Sequence, residues 1–191
     1  MADKLRDYGV PADNIIALKS DGKELGAATR NNVESAFELL RPGPRDGCFV
    51  FITSHGVPNR GLVMTRARAT LDPVLMSELL DASCDTHPTV VIASGCFSGT
   101  FAGGKALPAP NRVILTAARA DRPSFGCNAQ LKYTYFDSCV LDSLIKGVAW
   151  AVVMDKARHC VSEKEHKLGV HPSEPQISVG AKVEDLRVFS R

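Results

Sequence analysis

The apolar residues of this chain gather into short, nearly unbroken runs separated by stretches with helical spacing. Residues 48–54 and 89–94 run almost without charge up to a closing serine, and residues 113–118 continue the pattern after Arg112. Runs this apolar predict strands covered on both faces. Residues 30–41 place Val33, Phe37 and Leu40 three and four apart and stop at Pro42, which predicts a helix. Asp72 followed by Pro73 gives the next helix an acidic cap and a proline at its first position. Helical patterns also cover residues 2–8, 135–146 and 147–165. Shorter strand signals lie at residues 14–18, 62–65 and 176–180. Buried strands alternating with helices predict an α/β fold with a mostly parallel, doubly wound sheet, and one domain over residues 1–191. Such sheets carry their chemistry at the carboxyl ends of the strands. Here those ends follow Ser54, Ser94 and Ala118.

Composition narrows the classes. Apolar residues are 45% and charged residues 23%, with a net charge of +2, as in an ordinary globular domain. That charge is scattered, so nucleic acid is not an expected partner. No stretch approaches the ~20 apolar residues of a membrane span, and the N-terminus has no apolar signal core. The compartment stays open: cytoplasmic, or periplasmic if a leader once preceded this start. Nothing sets the oligomeric state. The six cysteines (Cys48, Cys84, Cys96, Cys127, Cys139 and Cys160) are widely spaced without a CxxC pair, so small hydrophobes are expected rather than a disulfide framework. Cys84 and His87 have ligand spacing, but no second pair completes a metal site. Neither a metal nor another cofactor is expected.

The strand ends hold the candidate chemistry. One carries Ser54-His55-Gly56, the next Ser94-Gly95-Cys96. Consecutive buried strands are neighbours, which brings an imidazole and a thiol to one rim. A thiol attacks as thiolate, and a nearby imidazole supplies its base or ion-pair partner. Gly56 lets its N–H come close to a substrate, and the Cys96 N–H joins it as an oxyanion hole. Alone, a cysteine after a buried strand reads as packing and a single histidine as surface. Together, each beside a glycine, they point to acyl transfer.

An apolar strand ending in His-Gly, followed by one ending in a small residue and Cys, resembles the caspase–legumain clan of cysteine peptidases. The match is closer to bacterial members of the legumain, or asparaginyl endopeptidase, family. It rests on five segments in order: residues 51–56, 89–99, 115–127, 133–137 and 172–176. The resemblance implies a caspase-like three-layer α/β/α sandwich, a protein or peptide substrate, and a dyad of Cys96 and His55 with Gly56 in the oxyanion hole. It implies cleavage after Asn or Asp, through a pocket shaped by Ser124 and Phe125, with Asp137 as a carboxylate for an amide nitrogen. For Asp137 the other reading is a helix N-terminal charge beside Ser138. Arg119 and Arg122 are expected to order the loop. Plant and animal legumains carry an acidic residue two positions before the nucleophile, facing the pocket; here Ser94 stands there. The family also opens with a buried strand ahead of the first helix, so this chain is expected to begin inside that helix and lack that strand.

Rival readings remain. Residues 99–106 imitate a phosphate-binding loop, but Ala106 replaces its hydroxyl residue and Pro108 and Pro110 block the following helix. Residues 94–98 also resemble an α/β-hydrolase elbow with cysteine as nucleophile; His159, His166 and His171 lie downstream as that fold requires. A catalytically silent α/β scaffold or binding domain is the alternative from another functional class.

Overall fold

The computed structural model describes residues 1–64, 69–127 and 131–189. Along the chain, helices α1 (Ala2–Asp7) and α2 (Arg30–Glu38) precede strand β1 (Cys48–Thr53). Three short strands follow, β2 (Gly56–Val57), β3 (Gly61–Val63) and β4 (Thr70–Leu71), then helix α3 (Pro73–Ser83). Next come β5 (Thr89–Ser94), the short α4 (Thr100–Gly103), β6 (Arg112–Thr116), helices α5 (Tyr135–Ser143) and α6 (Trp150–Leu168), and β7 (Gln176–Val179). Side-chain caps start three of the helices, and the one at Asp72 is as expected. The Asp72 carboxylate accepts from the Val74 and Leu75 N–H groups, both at 2.9 Å, and Thr29 and Thr134 cap α2 and α5.

The main sheet has the order β1-β5-β6-β7, with β1, β5 and β6 parallel and β7 antiparallel. Alternation along the strands builds two cores. Ile92, Val113 and Leu115 pack with Phe136 and Val140 of α5 and with Val153 and Met154 of α6. Val91, Ala93 and Ile114 face Phe37 of α2, Met76 and Leu80 of α3, and Phe101 of α4. This is the expected three-layer α/β/α arrangement. Every residue of β5 and β6 is buried. Each large aliphatic side chain there contributes about 1.5–3 kcal/mol by leaving water.

Three expectations need correction. Strand β1 is not covered on both faces: residues 49–52 are half-buried, because β1 is an edge strand. Its outer edge lines a cavity of about 560 Å³ shared with residues 14–21 and with Val33 and Phe37 of α2. Residues 14–18 form no strand. A 3-10 turn at Ala12–Asn14 leads into extended chain whose nearest pairing is the Lys19–Ala27 bridge. With no neighbouring strand on which to lay its hydrogen bonds, that segment cannot join a sheet.

The third correction concerns cysteine. Cys48 and Cys84 form a disulfide across 36 residues, and Cys139 and Cys160 another across 21. The first ties the start of β1 to the end of α3, the second α5 to α6. The partners meet only in the fold, at Cα separations of 6.2 and 5.7 Å. Among the described residues no helix is long and apolar enough to cross a membrane.

Candidate active site

Strands β1 and β5 end level with each other. Thr53 stands opposite Ser94, and the Ser54 N–H donates to the Ser94 carbonyl at 3.0 Å. Beyond them the two chains touch through their backbones. A Cβ on Gly56 would lie 1.7 Å from the Cys96 carbonyl oxygen, and one on Gly95 2.5 Å from that of Ser54. Only glycine allows either approach. His55 and Cys96, which follow these paired ends, therefore emerge on the same rim. The His55 side chain has no hydrogen-bond partner among the described residues and lines a cavity of about 460 Å³. Cys96 is a free thiol, half-buried, and its N–H is likewise unpartnered there.

The sulfur sits against the loop after β6. The Ser124 N–H donates to Cys96 Sγ at 3.3 Å and the Ser124 hydroxyl approaches at 3.8 Å. The neutral thiol can donate to the Ser124 carbonyl at 3.5 Å. Phe97, directly after the cysteine, has φ +59° and donates its N–H to the Arg122 carbonyl at 2.8 Å. A left-handed non-glycine residue costs about 1–3 kcal/mol and persists where its surroundings hold it. The Ser98 hydroxyl accepts from the Ala117 and Ala118 N–H groups at 3.0 and 3.2 Å, which fastens the same turn to the end of β6.

Arg119 and Arg122 do order this loop. Arg119 pairs with Asp121 and Glu174, and Arg122 with Glu174. The Arg119 guanidinium holds the Asp121 carboxyl down at about 2, chiefly through its hydrogen bonds, and is itself held protonated by Asp121.

Asp137 stands at the start of a helix and beside the cavity. It occupies the first turn of α5, and its carboxylate projects to the rim. Oδ2 accepts from the Thr53 hydroxyl at 2.6 Å, while Oδ1 is buried with no partner among the described residues, in a residue 3% exposed. Asp137 lines the same cavity as Thr53, His55, Cys127 and Tyr133. The Cys127 thiol is pushed up by desolvation first, then by the neighbouring Cys96 and Asp137.

The other expected pocket residues lie differently. Ser94, 1% exposed with a hydroxyl unpartnered among the described residues, is buried at the end of β5 and does not line the cavity. Phe125 is half-buried, and its carbonyl accepts from Tyr135 N–H at 3.2 Å instead. Thr53 was missed, although it lies two residues before His55 on the alternating pattern of β1. Cys127 and Tyr133 carry no such signal. His159 is exposed on α6 and pairs with Glu163, which removes it from the rim. No group of three metal-binding side chains occurs among the described residues.

The profile of the Peptidase C13 family matches residues 25–170, a span holding both strand ends and the loop around the thiol. The chain belongs to the Peptidase C13 family. It is thus a cysteine peptidase of the legumain family, a hydrolase of peptide bonds. No curated protein matches this C13 peptidase. Among solved structures it is similar to a caspase-1 from Spodoptera frugiperda, with a TM-score of 0.55 at 14% identity, over 93% of this chain and 76% of that one. That likeness is one of fold, and it agrees with the three layers and mostly parallel sheet.

Proposed function

We propose that this C13 peptidase is an endopeptidase that cleaves after Asn or Asp through a thioester on Cys96, with His55 as its imidazole partner. The observation that carries the reading is the paired end of β1 and β5, which sets a free thiol and an unpartnered imidazole on one rim. The Cys96 thiol gives its proton to His55, and Sγ attacks the scissile carbonyl as thiolate. The oxygen that gains charge takes hydrogen bonds from the Gly56 and Cys96 N–H groups. Collapse breaks the C–N bond, and the leaving amine takes its proton from His55. Water then attacks the thioester, which releases the acid and restores the thiol.

The cavity beside His55 supplies the specificity. The Oδ1 atom of Asp137 is a buried acceptor lacking a donor among the described residues, a costly state until one arrives. An Asn side-chain NH₂ satisfies it. An ionised Asp side chain would set two carboxylates together, which raises the proton affinity of one of them. Asn is therefore the favoured residue, and cleavage after Asp belongs to acidic pH. The test is turnover of peptides that differ only in Asn, Asp or Gln before the scissile bond. Asn should lead at neutral pH, and His55→Ala should abolish turnover with the fold intact. Equal cleavage of all three, or retained turnover in that variant, removes the assigned roles.

A further inference from the structure

The loop that faces the sulfur is held from outside by one acidic residue. Glu174 stands just before β7, far along the chain from Cys96. Its Oε2 lies 2.8 Å from Arg119 Nη1, and its Oε1 lies 2.9 Å from Arg122 Nη1. Arg122 also donates to the Pro172 carbonyl at 2.8 Å, and the Arg119 N–H to that of Ser173 at 2.8 Å. The far side of this clamp is anchored to α6. The Ser173 N–H reaches both carboxylate oxygens of Glu165, a buried residue of α6, at 3.2 and 3.1 Å. Glu174 is itself left-handed, with φ +54°, and its carbonyl accepts from the Gln176 side chain at 2.7 Å. The near side bears on the thiol twice. The Arg122 carbonyl holds Phe97, next to Cys96, and two residues beyond Arg122 the Ser124 N–H meets the sulfur.

We propose that Glu174 is a positioning residue for the Cys96 thiolate: through Arg119 and Arg122 it fixes the 119–124 loop so that the Ser124 N–H and hydroxyl face the sulfur. The proposal rests on the reading of Cys96 as nucleophile. Two donors then meet a negative sulfur, and hydrogen bonds to an ionised acceptor are the strong ones. When the thiol loses its proton, its bond to the Ser124 carbonyl is lost and the donors govern the balance. The ion pairs themselves are partly exposed, with side-chain exposures of 42% and 41% for Arg119 and Glu174. Such pairs add little to overall stability. Their loss therefore registers in the placement of the loop more than in the melting of the fold. Glu174 touches neither the sulfur nor the cavity, so its effect runs through the loop alone.

The test follows Cys96 itself. Full-length wild type, Glu174→Gln and Arg119→Gln are pulsed with iodoacetamide from roughly pH 5 to 10, and alkylation of Cys96 is read by peptide mapping. This readout needs no turnover, and mapping separates Cys96 from Cys127. His55, Cys127, Lys132, Tyr133 and Asp137, the titratable side chains that line the cavity beside His55, are unchanged in all three proteins. In Glu174→Gln the alkylation midpoint should rise by about one pH unit, with kcat down about tenfold and KM within about twofold. The melting temperature should stay within about 2 °C. Arg119→Gln, which leaves the Arg122 pair intact, should shift the midpoint the same way by less. A midpoint within about 0.2 unit of wild type in folded Glu174→Gln overturns the proposal even if activity falls, since the role is then only structural. Should that variant fail to fold, Arg119→Gln decides by the same readout. Wild-type turnover that survives Cys96→Ala would instead sink the nucleophile reading, and this proposal with it.

Discussion

The Ser124 N–H points at the Cys96 sulfur from 3.3 Å, while the Cys96 N–H finds no partner of its own among the described residues. In the proposed reading one amide supports the attacking sulfur and the other receives a substrate oxygen. The second free thiol, Cys127, has the opposite setting. Desolvation, and then the nearby Cys96 and Asp137, push its proton affinity up. A raised value means less thiolate at any given pH. Limited alkylation at neutral pH should therefore modify Cys96 well before Cys127, as read by peptide mapping. Equal modification would show that the Ser124 amide gives no advantage.

Gly56 tests the close contact between the strand ends. A methyl group there would lie 1.7 Å from the Cys96 carbonyl. Gly56→Ala should push the two segments apart, cost about 1–3 kcal/mol in stability and lower kcat by at least about a hundredfold. Denaturant unfolding together with steady-state kinetics checks both. A variant with wild-type kcat would show that this backbone contact is not needed.

Much of this arrangement was legible in the sequence. Residues 89–94 and 112–118 spell buried strands because all but a few of their side chains are apolar, and both lie mid-sheet. The rim followed, because parallel strands end together. What stayed hidden depends on groups that side-chain patterns do not encode. The Ser124 donor is a main-chain N–H. The disulfide partners Cys48 and Cys84 are 36 residues apart and meet only once α3 packs on β1. Strand β1 looked covered on both faces because its composition matches that of β5; its place at the edge depends on which neighbour stands beside it.

The disulfides should stabilise the fold without serving the chemistry. In the loop-entropy account a link of this span contributes about 3–4 kcal/mol. Replacing Cys48 and Cys84 together with Ala should lower the melting temperature by several degrees, while kcat measured well below that temperature stays within about twofold. Calorimetry and kinetics on one preparation check this. A collapse of kcat at unchanged stability would mean that the link positions the rim.

Asp137 should govern the choice of substrate. Asp137→Asn keeps the shape and a bond to Thr53 but removes the anionic acceptor. A charged hydrogen bond of this kind is worth about 1.5–3 kcal/mol, so kcat/KM for an Asn peptide should fall about ten- to a hundredfold. The ratio of Asn to Asp cleavage at neutral pH should fall with it. An unchanged ratio would place the specificity pocket elsewhere on the rim.

The most direct measurement is the intact mass of the folded, full-length protein after incubation with a peptidyl acyloxymethyl ketone that carries Asn at its reactive end. The expected result is a single adduct on Cys96, absent in Cys96→Ala. No adduct on folded wild-type protein, or an adduct that persists in Cys96→Ala, would contradict the central claim that Cys96 and its rim form the peptidase site.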